Sequence, residues 1–151
     1  MNPYLKPTLE LGPIVVERLI RWIPSERWDE ALEEGRFTPR EVIAHLADWE
    51  PILRGRIQTA LEKPGATIEV WDEDMMAREH HYEMSDPAEQ CALFTRERSA
   101  TASLLRSLGT EAWGQTVEHP ERGTLSVEDQ ANLILGHDLY HIEQLSAYLK
   151  P

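Results

Sequence analysis

The sequence predicts an all-α fold, a four-helix bundle with long crossover connections. Four stretches of the 151 residues repeat apolar side chains at helical spacings of three and four. Three of these stretches open on a residue able to cap a helix. Two of the joins between them are longer than ordinary tight helix–helix links, which lets neighbouring helices run parallel.

The first stretch covers Leu9 to Ile23, where Leu11, Val15, Leu19 and Trp22 recur on one side with Val16, Ile20 and Ile23 beside them. Pro24 and Ser25 close it, and Trp28 and Leu32 lie in a connecting segment that Gly35 ends. The second opens on Thr38 as N-cap, with Pro39 at the first helical position and Glu41 placed for a capping box. Its apolar side runs through Val42, Leu46, Trp49, Leu53, Ile57, Ala60 and Leu61, and the period continues past Pro51, predicting a kink there and not an end. Lys63-Pro64-Gly65 terminates it.

The third stretch repeats the opening signature with Asp86, Pro87 and Glu89; Cys91, Phe94, Thr101, Leu105 and Leu108 share a face with Arg98 in the same row, and Gly109 ends it. The fourth opens at Ser126 with Glu128 and Asp129 near its positive end, and Ala131, Ile134, Leu145, Tyr148 and Leu149 mark its buried side. In the long connection over residues 63–85, an acidic run (Asp72-Glu73-Asp74) precedes a short helix expected over Glu73 to His81. The connection over residues 109–125, with Trp113, Gly114, His119-Pro120 and Gly123, suits a small hairpin.

Composition narrows the function. The length and the 41% hydrophobic and 28% charged residues fit one globular domain, taken as 1–151. No apolar run is long enough to span a bilayer, and the N-terminal residues lack a signal-peptide pattern, so a cytoplasmic protein without membrane partners is expected. A net charge of −12, with no run of Lys and Arg, disfavours nucleic acid. The lone cysteine, Cys91, excludes an intrachain disulfide and a Cys-based zinc cluster, and reads as a small buried hydrophobe.

Histidine is the informative residue. His137 and His141 are four apart, which stacks two imidazoles one turn apart on one side of a helix, in register with Ile134, Leu145 and Tyr148. His45 lies three residues after Val42 and four before Trp49, on the buried side of the second helix. Three imidazoles among Leu and Trp need partners for their nitrogens, and a divalent metal ion held by His45, His137 and His141 supplies them. Hydrogen-bonded core histidines fit the same spacing. Asp48 and Asp138 are candidates to orient an imidazole, Asp48 also to reach the metal, and a solvated or capping role suits each equally. Arg98 either snorkels out of its apolar row or points into a cavity to bind an anionic substrate. Glu50 and Glu143 read as exposed, and the adjacent His80 and His81 make a poor joint site. Trp71 and the Met75-Met76 pair read as packing, or as a lid over the site.

Three segments together resemble the DinB/YfiT-like superfamily: Phe37 to Glu50 (FTPREVIAHLADWE), His119 to Val127 (HPERGTLSV) and Gly136 to Leu145 (GHDLYHIEQL). The resemblance covers nearly the whole chain in helix order and spacing. It implies an up-down-down-up bundle, a divalent ion, commonly zinc or nickel, on His45, His137 and His141, and frequent homodimers. It also implies thiol-dependent transferase or isomerase chemistry with a low-molecular-weight thiol cosubstrate.

The leading expectation is therefore a metal-dependent thiol S-transferase or hydrolase acting on small electrophilic substrates. The competing expectations are a non-catalytic, metal-stabilised dimeric binding or stress-response protein, and a metal-free helical interaction module.

Overall fold

Helices begin where the sequence places its caps. The computed structural model describes residues 2–149; Met1, Lys150 and Pro151, the ends of the expected 1–151 domain, lie outside the described residues. Helix α1 spans Leu5–Ile20, α2 Pro39–Glu62, α3 Glu73–Glu79, α4 Pro87–Ser107 and α5 Val127–Ser146. Thr38 caps α2 in a complete capping box with Glu41, and Ser126 caps α5 in one with Asp129. Asp86 accepts from the Glu89 amide at the start of α4, and Asp72 does the same for α3 from Met75. Helix α2 passes unbroken through Pro51.

The four long helices form the bundle: α1 and α2 each pack against both α4 and α5, which puts α1 diagonal to α2. Two apolar clusters set the directions. One gathers Leu5 and Leu9 from the start of α1, Ile57 and Ala60 from the end of α2, Leu105 from the end of α4 and Val127 from the start of α5. The other gathers Val16, Val42, Ile43, Phe94 and Leu145 from the opposite ends. Helices α1 and α5 therefore run one way and α2 and α4 the other, the up-down-down-up order.

Between the clusters lies a layer of buried charge. The Arg98 guanidinium of α4 donates from Nε and Nη2 to Glu50 of α2, both at 2.8 Å, and from Nη1 and Nη2 to Asp138 of α5. Its fifth N–H reaches the Leu9 carbonyl of α1 at 3.1 Å. All five donors are thus used, on three other helices. Leu9 is free to accept because Pro13, four residues on within α1, has no N–H to offer it. Gly12 makes room: a Cβ there would meet Asp138 Oδ2 at 2.5 Å and Arg98 Nη1 at 2.9 Å.

Four expectations are corrected here. Helix α1 starts four residues earlier and ends three earlier than its apolar period suggested. Its buried line is Leu5, Leu9, Gly12 and Val16, while Leu11 and Trp22 are exposed. Arg98 neither snorkels nor faces a cavity, and Glu50 is buried at 1% exposure, because each answers the other's charge.

The long connections are ordered by each other. Strands β1 (Thr116–His119) and β2 (Gly123–Ser126) form an antiparallel hairpin, Thr116 opposite Ser126. Pro120 starts the turn, and Gly123 takes its left-handed conformation at φ 75°. Residues 65–68 run alongside β1, exchanging bonds between Ile68 and Glu118 and between Glu118 and Ala66. Among the described residues no helix is long and apolar enough to cross a membrane.

Candidate metal centre and cleft

Antiparallel packing of α2 on α5 brings the start of α2 to the end of α5, and His45 to His137 and His141. One ring nitrogen from each of the three lies within 4.8 Å of the others. His45 Nε2 and His137 Nε2 are 2.9 Å apart, and the three ring centroids are separated by 4.6–5.0 Å. His45 and His141 are buried and His137 is half-buried.

Burial, then the neighbouring imidazoles, pushes the His45 pKa down to about 2. Burial, His141 and Arg98 lower His137 to about 3. Burial lowers His141 to about 4, against a hydrogen bond donated to Gln144 that raises it. All three rings are therefore neutral at physiological pH, the form in which imidazole ligates a metal.

The ring environments differ. Gln144 donates from Nε2 to the Phe37 carbonyl at 3.0 Å, which turns its Oε1 toward His141 Nδ1 at 3.1 Å. His141 thus carries its proton on Nδ1 and keeps Nε2 as a lone-pair donor. Sequence reasoning passed over Gln144, although it stands three residues after His141 on the same helical face. His45 is held by packing instead, between Phe37, Trp49 and Tyr82. Its Nδ1 is buried without a partner. Three neutral imidazoles, two of them with ring nitrogens at hydrogen-bonding distance, suit a divalent cation; zinc–imidazole bonds are about 2.0–2.1 Å.

The other predicted site residues lie elsewhere. Asp48 accepts from Tyr82 Oη at 2.6 Å and from His80 Nδ1 at 2.7 Å, so it fastens α2 to the segment after α3 and touches none of the three histidines. Asp138 follows His137 but belongs to the Arg98 layer. Arg98, Asp48 and Asp138 are all absent from the cleft lining.

That cleft, about 640 Å³, opens from the histidine cluster. Helix α2 contributes His45, Trp49, Leu53 and Arg56; α5 contributes Gln130, Leu133, Gly136, His137 and Tyr140. The segment before α3 adds Ile68, Val70 and Trp71, the start of α3 adds Glu73, and the hairpin adds His119, Glu121, Arg122 and Leu125. The volume is that of a small-molecule site. Trp71 lines it, while Met76 is buried beneath α3 and Cys91 is buried in the opposite wall of the bundle.

Comparison with known proteins agrees with this architecture. The DinB superfamily pattern matches residues 9–145. The chain is 26% identical over 139 residues to "Putative metal-dependent hydrolase OB0782" of Oceanobacillus iheyensis, covering 91% of this chain and 80% of that protein. It is 23% identical over 139 residues to "Putative metal-dependent hydrolase YfiT" of Bacillus subtilis, covering 91% and 78%. The solved structure of YfiT, described as a probable metal-dependent hydrolase with an unusual four-helix bundle topology, superposes with a TM-score of 0.89 at 22% identity, over 95% of this chain and 83% of that one. A mycothiol-dependent maleylpyruvate isomerase superposes with a TM-score of 0.75 at 18% identity; 93% of this chain spans 59% of that protein. With the pattern running from the first helix of the bundle to the last, through all three histidines, the chain belongs to the DinB superfamily.

Proposed function

We propose that this protein is a metal-dependent enzyme acting on a small electrophilic substrate, as a hydrolase with water as nucleophile or as a thiol S-transferase with a low-molecular-weight thiol. The observation that carries the reading is a cluster of three neutral imidazoles, two of which line an open cleft. A structural metal site would be closed; His45 and His137 both border open volume. The names of the two hydrolase-like relatives support the metal, and the fold shared with the isomerase supports the thiol alternative.

His45, His137 and His141 would hold the ion, zinc or nickel, through ring nitrogens. When bound, a divalent ion there lowers the pKa of water or a thiol and polarises an electrophilic oxygen. Gln144 keeps His141 in the ligating tautomer. Asp48, through Tyr82 and His80, holds the segment after α3 against α2, where Tyr82 packs edge-on to His45. Trp49, Leu53, Leu125 and Leu133 give the cleft apolar walls that exclude water from a bound substrate.

The test is metal content by mass spectrometry on protein purified without a histidine tag, with His45→Ala and His141→Ala beside it. Near-stoichiometric metal in the parent, lost in both variants, is expected. Turnover of ester and amide panels, with and without added thiols, then separates hydrolase from transferase. Absence of metal after reconstitution with zinc and nickel would return the histidines to the core and end the reading.

A further inference from the structure

The half-buried and buried arginines of this chain obey a rule with one exception. Arg27, Arg36, Arg40, Arg54 and Arg98 each pair with a carboxylate. Arg56 is also half-buried, yet among the described residues it has no carboxylate partner. Its Nε is buried without an acceptor, and its one protein bond runs from Nη2 to the Glu69 carbonyl at 3.2 Å. In a chain with 27 acidic residues against 15 basic ones, an unpaired guanidinium at this depth is not for want of carboxylates. A half-buried charge without a counter-ion is costly unless a ligand completes it.

Arg56 borders the cleft, and its surroundings are those of a binding site. Its guanidinium lies 5.8 Å from the Trp49 ring, and the same indole lies 5.4 Å from the His45 ring, so a single side chain spans from the arginine to the histidine cluster. Eleven residues of α2 separate His45 from Arg56, about 16 Å along the helix axis. Arg122 on the hairpin also borders the cleft and has no carboxylate partner among the described residues. His119 beside it accepts the Glu121 amide at Nδ1, which leaves Nε2 to carry the proton as a donor. Gln130, 5% exposed and facing this end from α5, has both amide atoms unpartnered.

We propose that Arg56, with Arg122 and His119, recognises a singly charged carboxylate on the substrate, whose apolar body lies along Trp49 toward the histidine cluster. This rests on the cleft being the substrate site, and it names the substrate class: a small organic acid with an apolar body. The planar guanidinium fork matches a carboxylate. Glu73 and Glu121 also border the cleft, so a doubly charged phosphate meets repulsion that a monoanion escapes in part.

The test compares 4-phenylbutyrate with its neutral isostere 4-phenylbutyramide by calorimetric titration, on metal-loaded protein and again after chelation. The acid should bind about tenfold more tightly than the amide, a preference of about 1.4 kcal/mol. The preference should survive chelation, which separates this site from any carboxylate–metal contact and from the metal reading itself. It should vanish in Arg56→Gln, and persist in Arg78→Gln, an exposed arginine outside the cleft. Circular dichroism of Arg56→Gln checks that it folds, and Arg122→Gln, on the exposed turn, provides a second variant expected to weaken the preference. Equal binding of acid and amide, no detectable binding of the acid at millimolar concentration, or an unchanged preference in Arg56→Gln and Arg122→Gln would each overturn the proposal. Loss of the preference on chelation would do so as well.

Discussion

The fold holds all three histidines of the cluster well below the ordinary imidazole range. An unfolded chain protonates them near the ordinary imidazole pKa of about 6.5. The folded, metal-free protein resists until about 4 for His141 and lower for His137 and His45. Below pH 6.5 the unfolded state therefore binds more protons than the folded one, and stability falls as pH falls. The window opens at about 6.5 and closes at about 4 for His141, about 3 for His137 and about 2 for His45, with a slope of at most about 1.4 kcal/mol per ring for each pH unit. Urea unfolding of chelated protein between pH 7.5 and 5.5 measures it, and His45→Ala should flatten the slope by roughly a third of the histidine contribution. A slope unchanged in the variant would mean that the rings are not buried as neutral imidazoles. The trio was legible because its members fall on the apolar faces of helices; the roles of Asp48 and Asp138, left open between orienting an imidazole and a solvated or capping place, were not legible, because a carboxylate one turn from a histidine shares its element, not its partners. Their actual partners, Tyr82, His80 and Arg98, come from other elements.

At the scale of elements, the caps were the most readable feature, since a cap is decided within four residues. Thr38, Asp86 and Ser126 all begin helices where they were expected to. The phase of α1 was not readable. Counting apolar residues favours Leu11 over Gly12, but the bundle selects Gly12 for what it lacks, because Asp138 and Arg98 occupy the space of a side chain. Gly12→Ala tests this. Alanine is the better helix former and would stabilise an exposed position by up to about 1 kcal/mol. Here the added methyl must displace a carboxylate and a guanidinium that hold each other, and a net loss of roughly 1–3 kcal/mol is expected. Chemical denaturation decides between the two signs, and a stabilised variant would show that the charge layer yields easily. The hairpin was foreshadowed by Pro120 and Gly123, whereas its pairing with residues 65–68 depends on contacts between segments about fifty residues apart and left no local trace.

For the whole molecule, the charge layer does what the apolar clusters cannot. Leucine and valine fill either end of a bundle in many rotations, but Arg98 has five donors whose acceptors sit on α1, α2 and α5, and one rotation satisfies them all. The layer also lies near enough to the histidine cluster for the Arg98 charge to help lower the His137 pKa. We expect it to confer specificity of packing more than stability, because desolvating an ion pair offsets much of its attraction. Arg98→Met leaves Glu50 and Asp138 buried and uncompensated, and should cost about 3–5 kcal/mol. Adding Glu50→Leu and Asp138→Leu to the same chain removes the stranded charges, so the triple variant should be more stable than the single one. Urea midpoints measured side by side decide it, and a triple variant weaker than Arg98→Met would show the network to be worth more than the apolar packing that replaces it. If the triple variant recovers stability but loses metal affinity at His137, the layer's role is to hold α5 at the rotation that presents its histidines to α2.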